Sequence, residues 1–285
     1  MQVVNDFLDY KLISCSNGLK KEIWGKYTLV RPDPEIVWED NFDDNYDAKY
    51  IRSKTGGGTW DIRNNELNKP WQIKYHDLTF NLKLMGFKHT GLFPEQAYNW
   101  NYLIDTIKNS NRKDIKVLNL FAYTGGATVA CLSAGASVVH VDSSKGMVAW
   151  AKENVMSSNL GDKSVRFIVD DVLKFVKREI RRGNKYDIIL MDPPSFGRGS
   201  SGEVWNIEHD LFELVKLCKE LLSNEPLLFL INSYSTGLSK TVLENIFNIL
   251  IVKDMGGSVF SDELGIKLEN KDIILPCGNF ARWTK

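Results

Sequence analysis

The chain is short of the features that mark several protein classes. It has four cysteines, Cys15, Cys131, Cys218 and Cys277, widely scattered and with no CxxC pair. That spacing excludes a zinc knuckle, so no metal site is expected, and isolated thiols fit a reducing compartment. No run approaches the roughly 18 apolar residues of a membrane-spanning helix. Met1-Gln2-Val3-Val4-Asn5-Asp6 lacks the basic start and apolar stretch of a secretory leader. These absences predict a soluble cytoplasmic protein with no membrane partner. No repeat recurs along the chain, which excludes solenoids and propellers. Excess charge of either sign is also missing: 36 basic residues balance 36 acidic ones. A cationic coat for gripping duplex nucleic acid is therefore absent. What remains, 285 residues with 43% hydrophobic and 25% charged, is ordinary globular composition with room for two domains.

The character of the sequence changes near residue 90. Before it, short β-branched and aromatic runs at 11–15, 27–31, 36–38, 71–75 and 78–84 are separated by Ser16-Asn17-Gly18, Pro32-Asp33-Pro34 and Gly56-Gly57-Gly58. That pattern predicts an antiparallel β module. After it, a helix at 95–108 is followed by strand candidates at 116–121, 137–141, 164–169, 186–191 and 226–231. Helices are expected at 126–134, 145–157, 172–182, 207–222 and 240–255, with two last strands near 258–261 and 273–283. Strand–helix alternation of this kind builds a parallel α/β sheet. We therefore expect an N-terminal β-rich module over 1–88 and a Rossmann-like α/β domain over 89–285.

Open parallel sheets bind ligands at the carboxyl ends of their strands. After the first strand comes Asn119-Leu120-Phe121-Ala122-Tyr123-Thr124-Gly125-Gly126. Paired glycines let backbone approach a ligand, or simply make a βα turn. The spacing is not GxGxxG and no GK[ST] follows, which weighs against a nicotinamide-dependent oxidoreductase and a P-loop. The second strand ends at Asp142-Ser143-Ser144, where a carboxylate can accept ribose hydroxyls or cap the next helix. The third ends at Asp170-Asp171; one carboxylate can accept from an adenine amine while the other caps a helix. The fourth ends at Asp192-Pro193-Pro194-Ser195-Phe196-Gly197, the most specific signal in the chain. Its prolines fix the backbone, its Asp192 and carbonyls are acceptors, and Phe196 can stack on a base.

Taken together, these segments resemble class I S-adenosylmethionine-dependent methyltransferases. Asn119–Gly126 looks like their motif I, Asp142 their ribose-binding acid, Asp170-Asp171 their adenine contact and Asp192-Pro193-Pro194 their motif IV. With Thr90-Gly91-Leu92-Phe93-Pro94-Glu95-Gln96 upstream, the chain is similar to the branch holding the large-subunit ribosomal RNA cytosine-5 methyltransferases. The likeness covers roughly residues 75–285. It implies a seven-stranded sheet with an antiparallel last strand and S-adenosylmethionine as cofactor, S-adenosylhomocysteine as product. The implied cofactor contacts are Phe93, Gln96, Asn119, Phe121, Tyr123, Thr124, Gly125, Gly126, Asp142, Ser143, Asp170, Asp171 and Asp192. Asp192, Pro193 and Phe196 are the expected catalytic set; Tyr123, Pro194, Ser195, Phe196 and Arg198 face substrate.

One departure matters. Cytosine-5 chemistry needs a thiolate that adds to the ring. Members of that branch carry it near the end of the fifth strand, where this chain reads Ile231-Asn232-Ser233-Tyr234-Ser235-Thr236-Gly237. Cys277 is the remaining candidate, or a small buried residue before a turn. Direct displacement at a base nitrogen of RNA, ribosomal RNA first, is the leading expectation; a protein or small-molecule substrate, cytosine-5 methylation through Cys277 and a catalytically silent RNA-binding module are the alternatives. The run Gly197-Arg198-Gly199-Ser200-Ser201-Gly202 reads as a mobile substrate-side loop. Trp24, Trp38, Trp60, Trp71 and Trp100 read as core or as a stacking platform. Zero net charge conceals segregation: seven acids and no base from Asp33 to Asp47, and six bases against Glu179 from Lys174 to Lys185. Such stretches would suit an RNA or the docking of a second copy as a homodimer.

Overall fold

The structure, a computed structural model, describes every residue except Thr55, Ser200, Ser201 and Thr236. It divides into two compact units. One comprises Gln2–Tyr98 with Gly265–Pro276; the other comprises Met1, Asn99–Leu264 and Cys277–Lys285.

The N-terminal unit begins with β1 (Gln2–Val3), β2 (Tyr10–Ser16), β3 (Leu19–Trp24), β4 (Tyr27–Pro32), β5 (Ala48–Arg52) and β6 (Gly58–Ile62). Strands β2 to β6 lie in sequence order in one five-stranded sheet, and β7 (Trp71–Tyr75) with β8 (Leu78–Leu82) forms a separate ribbon. Asn17 and Gly18, at φ 48° and 77°, make the two-residue turn between β2 and β3 that an Asn-Gly pair favours. Strand β3 was hidden in the sequence by Lys20, Lys21 and Glu22, which interrupt the apolar alternation. Its charges are buried by pairing: Lys21 meets Asp43 at 2.8 Å and Glu22 meets Arg31 at 2.6 Å. The strand expected at 36–38 does not form. Instead the Ile36 and Trp38 carbonyls accept the Gly18 and Asn17 amides, each at 2.8 Å, so this segment straps the hairpin turn. Trp24 and Trp71 lie in the core, as large rings in a small β module should.

The acidic stretch is engaged within this unit. Asp33, Asp40, Asp43 and Asp44 pair with Lys20, Lys271, Lys21 and Lys49. It is not a bare negative face awaiting a partner.

In the second unit, α1 (Ala97–Asn109) precedes the alternating elements β9 (Lys116–Leu120), α2 (Gly126–Ser133), β10 (Ser137–Asp142), α3 (Lys145–Ser157), β11 (Val165–Val169), α4 (Val172–Arg182) and β12 (Ile188–Met191). Then come β13 (Phe196–Arg198), β14 (Val204–Asn206), α5 (Ile207–Lys219), β15 (Leu228–Ser233), α6 (Lys240–Phe247), a π turn at Asn248–Val252, the short α7 (Lys253–Met255), β16 (Ser258–Lys267) and β17 (Ile274–Thr284). Within this unit the sheet order is β16-β17-β15-β12-β9-β10-β11, the seven strands expected. β9 to β12 and β15 are parallel, and β17 runs antiparallel to β15.

Alternation along each strand divides the sheet into two faces. Leu118, Leu120, Val141, Ile189, Met191, Phe229 and Ile231 pack with Phe175, Val176, Leu211, Leu214 and Phe247 from α4, α5 and α6. Asn119 and His140 point to the other face. Among the described residues no helix is long and apolar enough to cross a membrane.

Burial by itself would push the Glu22 carboxyl up, but Arg31 and Lys20 outweigh it and hold it at about 2. A carboxylate depressed in this way stabilises the fold above its unfolded titration range. That contribution is lost as pH falls toward about 2. Glu22→Gln strands Arg31 and should cost about 3 kcal/mol or more in chemical denaturation at neutral pH, with the deficit shrinking in acid. Wild-type stability for Glu22→Gln would contradict this.

Candidate active site

The order in which strands are added reverses at β9, which sits between β10 and β12. Such a switch point opens a crevice at the carboxyl strand ends. The segments singled out after β9, β10, β11 and β12 all end there.

The β9–α2 turn is the most constrained. Phe121, Tyr123 and Gly125 adopt φ of 53°, 51° and 84°. For Phe and Tyr the left-handed region costs about 1–2 kcal/mol each, so the surroundings must impose it. They do so through named bonds. The Tyr123 amide donates to Asp142 Oδ2 at 2.9 Å, the Asn154 side chain on α3 donates to the Thr124 carbonyl at 2.8 Å, and Gly125 N-caps α2. The glycines answer to protein packing. A Cβ on Gly125 would sit 2.9 Å from Ala151, and one on Gly126 would sit 2.7 Å from the Trp100 ring.

Asn119 turns under the turn. Its amide donates to Thr128 Oγ1 at 3.0 Å, and Thr128 meets His140 Nδ1 at 2.9 Å. Burial holds the His140 imidazole down at about 3, with the Tyr123 backbone offsetting this in part. It is therefore neutral at physiological pH and acts as a fixed hydrogen-bonding member of the layer below the site.

Asp142 closes β10. Its Oδ1 accepts from the Ser144 amide at 2.8 Å while Oδ2 holds Tyr123. Burial pushes its pKa above the ordinary carboxylate range, against the two amides. A carboxylate has about four acceptor sites, so two protein bonds leave capacity for a vicinal diol. Ser143 is exposed beside it, and Ser144, not Asp142, caps α3 by accepting from Met147.

The Asp170-Asp171 pair divides its work. Asp171 caps α4 by accepting the Lys174 amide at 2.9 Å. Asp170 accepts from the Asp171 amide and from Arg178. The basic helix thus reaches back toward the strand ends: Arg178 engages Asp170 and Lys174 engages Glu203. Part of its charge, like part of that of the acidic stretch, is used within the chain.

The Asp192 loop is built on a feature the sequence reading missed. The segment expected to be a mobile loop instead starts and ends as a hairpin, Phe196 opposite Asn206, Gly197 opposite Trp205 and Arg198 opposite Val204; Ser200 and Ser201 fall outside the described residues. Trp205 is buried, its ring tilted against Phe121 at 4.9 Å, and its Nε1 donates to the Pro194 carbonyl at 2.7 Å. One side chain therefore ties the Asp192 loop to the β9 turn. Ser195 and Ser235 share a hydroxyl hydrogen bond of 2.6 Å, linking the same loop to the end of β15. Pro193 is buried, Pro194 and Ser195 are exposed, and Phe196 is 54% exposed with Arg198 near its ring.

Phe93 and Gln96 belong to the N-terminal unit, where they flank the short helical turn Pro94–Gln96. Cys277 is half-buried in the second unit. It lies two residues from Asn279, the partner of Ser233, so β17 carries it to the carboxyl end of β15. Asn154 and Trp205 are the supports that sequence reading overlooked. A buried Asn on an apolar helix face was a usable signal; three-residue strands in a Gly- and Ser-rich run were not.

A family model described as S-adenosylmethionine-dependent methyltransferase matches residues 52–247. The whole chain resembles the crystal structure of a SAM-dependent methyltransferase from Agrobacterium tumefaciens, with 36% identity and a TM-score of 0.94 over 99% of this chain and 92% of that one. SMU.776, solved in complex with S-adenosylhomocysteine, matches with 21% identity and a TM-score of 0.73 over 98% of this chain and 76% of that one, a likeness of fold. A protein named ribosomal RNA large subunit methyltransferase K/L, from Shewanella frigidimarina, is 37% identical over 153 residues, 53% of this chain and 20% of the relative. The match thus spans about a fifth of that relative's length.

Asp142 supplies a direct test of the crevice. Asp142→Ala should weaken S-adenosylhomocysteine binding by about 2 kcal/mol, roughly 30-fold, in calorimetric titration. Because only the ionised carboxylate accepts from two hydroxyls, wild-type affinity should fall as pH drops through its raised titration range. Asp142→Asn should flatten that slope. Unchanged affinity in both variants would remove Asp142 from the site.

Proposed function

The chain belongs to the S-adenosylmethionine-dependent methyltransferase family, and on that premise we propose that it methylates a base nitrogen of RNA, most simply ribosomal RNA, by direct displacement. The observation that carries this reading is the Asp192 loop, clamped by Trp205 and the Ser195–Ser235 bond at the sheet's switch point beside an exposed Phe196. The ribosomal part rests on the name of the K/L relatives alone.

Bound S-adenosylmethionine supplies a methyl group already activated on its sulfonium. The protein's contribution is then binding and alignment. Asp142 would hold the ribose hydroxyls with its remaining acceptor sites, and the strained Phe121–Gly125 turn would wrap the amino-acid end. Asp170 would face the adenine edge with its backbone and carboxylate, while Asp171 keeps its capping role. On the substrate side, the Asp192 carboxylate and the Pro193 carbonyl accept from an amine or ring N–H. Accepting those hydrogen bonds turns the nitrogen lone pair toward the methyl group, and the N–H proton released on methylation passes to the Asp192 carboxylate or to water. Phe196 or Tyr123 stacks on the base, and Arg198, near the Phe196 ring, contacts a phosphate. Trp205 spends the Pro194 carbonyl, and so positions the acceptors without touching substrate.

A second reading has one specific observation behind it. Cys277 reaches the carboxyl end of β15, and Gly278 next to it packs so closely that a Cβ would sit 2.9 Å from the Tyr234 ring. A thiol there could serve cytosine-5 chemistry.

Two variants separate these readings. With labelled cofactor and ribosomal RNA from a strain lacking the gene, Asp192→Ala should lose at least about 100-fold in methyl transfer, as expected when the reacting group is no longer aligned. Cys277→Ser should keep most activity, and nucleoside mass spectrometry should find a nitrogen-methylated base. Full turnover by Asp192→Ala, or 5-methylcytosine that vanishes with Cys277→Ser, would reverse the assignment. Trp205→Phe keeps the packing but loses the Pro194 bond; it should lower kcat several-fold with little change in S-adenosylhomocysteine affinity.

A further inference from the structure

The tryptophans of the N-terminal unit are largely absorbed by its core, yet one aromatic is left outside. Beyond β8 the chain folds back on itself: the Lys83 amide donates to the Thr90 carbonyl and the Met85 amide to the His89 carbonyl, each at 3.2 Å. The tip of this turn is pinned to the β5–β6 ribbon. Trp60 Nε1 donates to the Met85 carbonyl at 2.7 Å and the Tyr50 hydroxyl to the Gly86 carbonyl at 3.2 Å. Tyr50 and Trp60 are cross-strand partners with their rings edge to face at 5.4 Å. On this anchored tip Phe87 is 65% exposed. A single exposed ring is unremarkable in itself.

Its neighbours make it more than that. Arg52 lies two residues beyond Tyr50 in β5, hence on the same face, and Lys88 follows Phe87 directly. The nearby acids are already taken: Glu22 by Arg31 at 2.6 Å and Asp33 by Lys20 at 3.0 Å. Arg52 and Lys88 form no ion pair among the described residues; Lys88 gives one N–H to the Pro32 carbonyl at 3.1 Å. Burial lowers the Lys88 pKa, with Asp33 opposing and Lys20, Arg31 and Arg52 adding to the fall. Cations gathered with too few acids are a cost to the free protein, and a bound anion relieves it. A flat exposed ring beside such cations matches an unpaired base with its phosphates. An acidic peptide would use the cations and leave the ring idle.

We propose that Phe87, Lys88 and Arg52 form a contact for single-stranded RNA on the N-terminal unit: a base stacks on Phe87, and Lys88 and Arg52 hold adjoining phosphates. This rests on the reading that RNA is the substrate.

Fluorescence anisotropy of the full chain with a labelled unpaired uridine oligonucleotide, across a salt series, tests it. Phe87→Ala should weaken binding about tenfold, in the range of one lost base–aromatic stack, and Phe87→Trp should restore it. The Arg52→Ala, Lys88→Ala double variant should lower the slope of log affinity against log salt by about 1.4, two phosphates at about 0.7 each. S-adenosylhomocysteine affinity should stay at the wild-type level in all of them, which reports on folding. Wild-type RNA affinity and salt slope in these variants, with the wild type itself binding, would overturn this contact and leave the RNA reading intact. An RNA-blind wild type at low salt would overturn both. If the double variant loses binding to polyglutamate but not to RNA, the occupant is an acidic protein and the proposal fails.

Discussion

The β9–α2 turn depends on being held where its residues would not go alone. Phe121 and Tyr123 occupy left-handed backbone, and Gly125 follows in the same region. Relaxing that turn would break the Tyr123–Asp142 and Thr124–Asn154 bonds and detach Phe121 from Trp205. Since Trp205 also holds the Pro194 carbonyl, the strain after β9 and the geometry after β12 are one linked system. The fixed network of Asn119, Thr128 and neutral His140 lies beneath it and keeps the layer rigid. Pre-organisation of this kind suits a reaction in which the electrophile arrives activated and the protein must mainly align it.

Charge follows a similar logic of local settlement. The acidic stretch and the basic helix look in the sequence like two opposed surfaces. In the folded chain, much of each is consumed nearby: Asp33, Asp40, Asp43 and Asp44 by lysines of their own unit, Arg178 and Lys174 by Asp170 and Glu203. What distinguishes a surface is then the charge left over after pairing. Counting residues along the chain cannot find that remainder, because pairing is a matter of tertiary neighbours.

Legibility varied with the range of the determining interaction. Helices α3 and α4 could be read to the residue because Ser144 and Asp171 cap them locally and the apolar period continues unbroken. β3 was missed because its charges are tolerated only through partners on β4 and at Asp43. The Asp142 and Asp192 strand ends were legible from residue type and order, since both follow apolar runs that could only be buried strands. Trp205 was not, because its role comes from reaching Pro194 and Phe121 across a hairpin too short to carry a periodic signal.

By itself, then, the sequence determined the α/β alternation, the strand ends and the cofactor-binding chemistry they imply, all of which rest on local period, capping and turn residues. Tertiary structure alone decided which side chains support those ends. It turned Asn119 inward to Thr128, gave Asp171 to the helix, set Gly126 against Trp100, brought Cys277 to the end of β15 and left Phe87 outside the core. The reason is physical: backbone conformation is set largely by neighbours in the chain, whereas burial, pairing and close packing are set by neighbours in space.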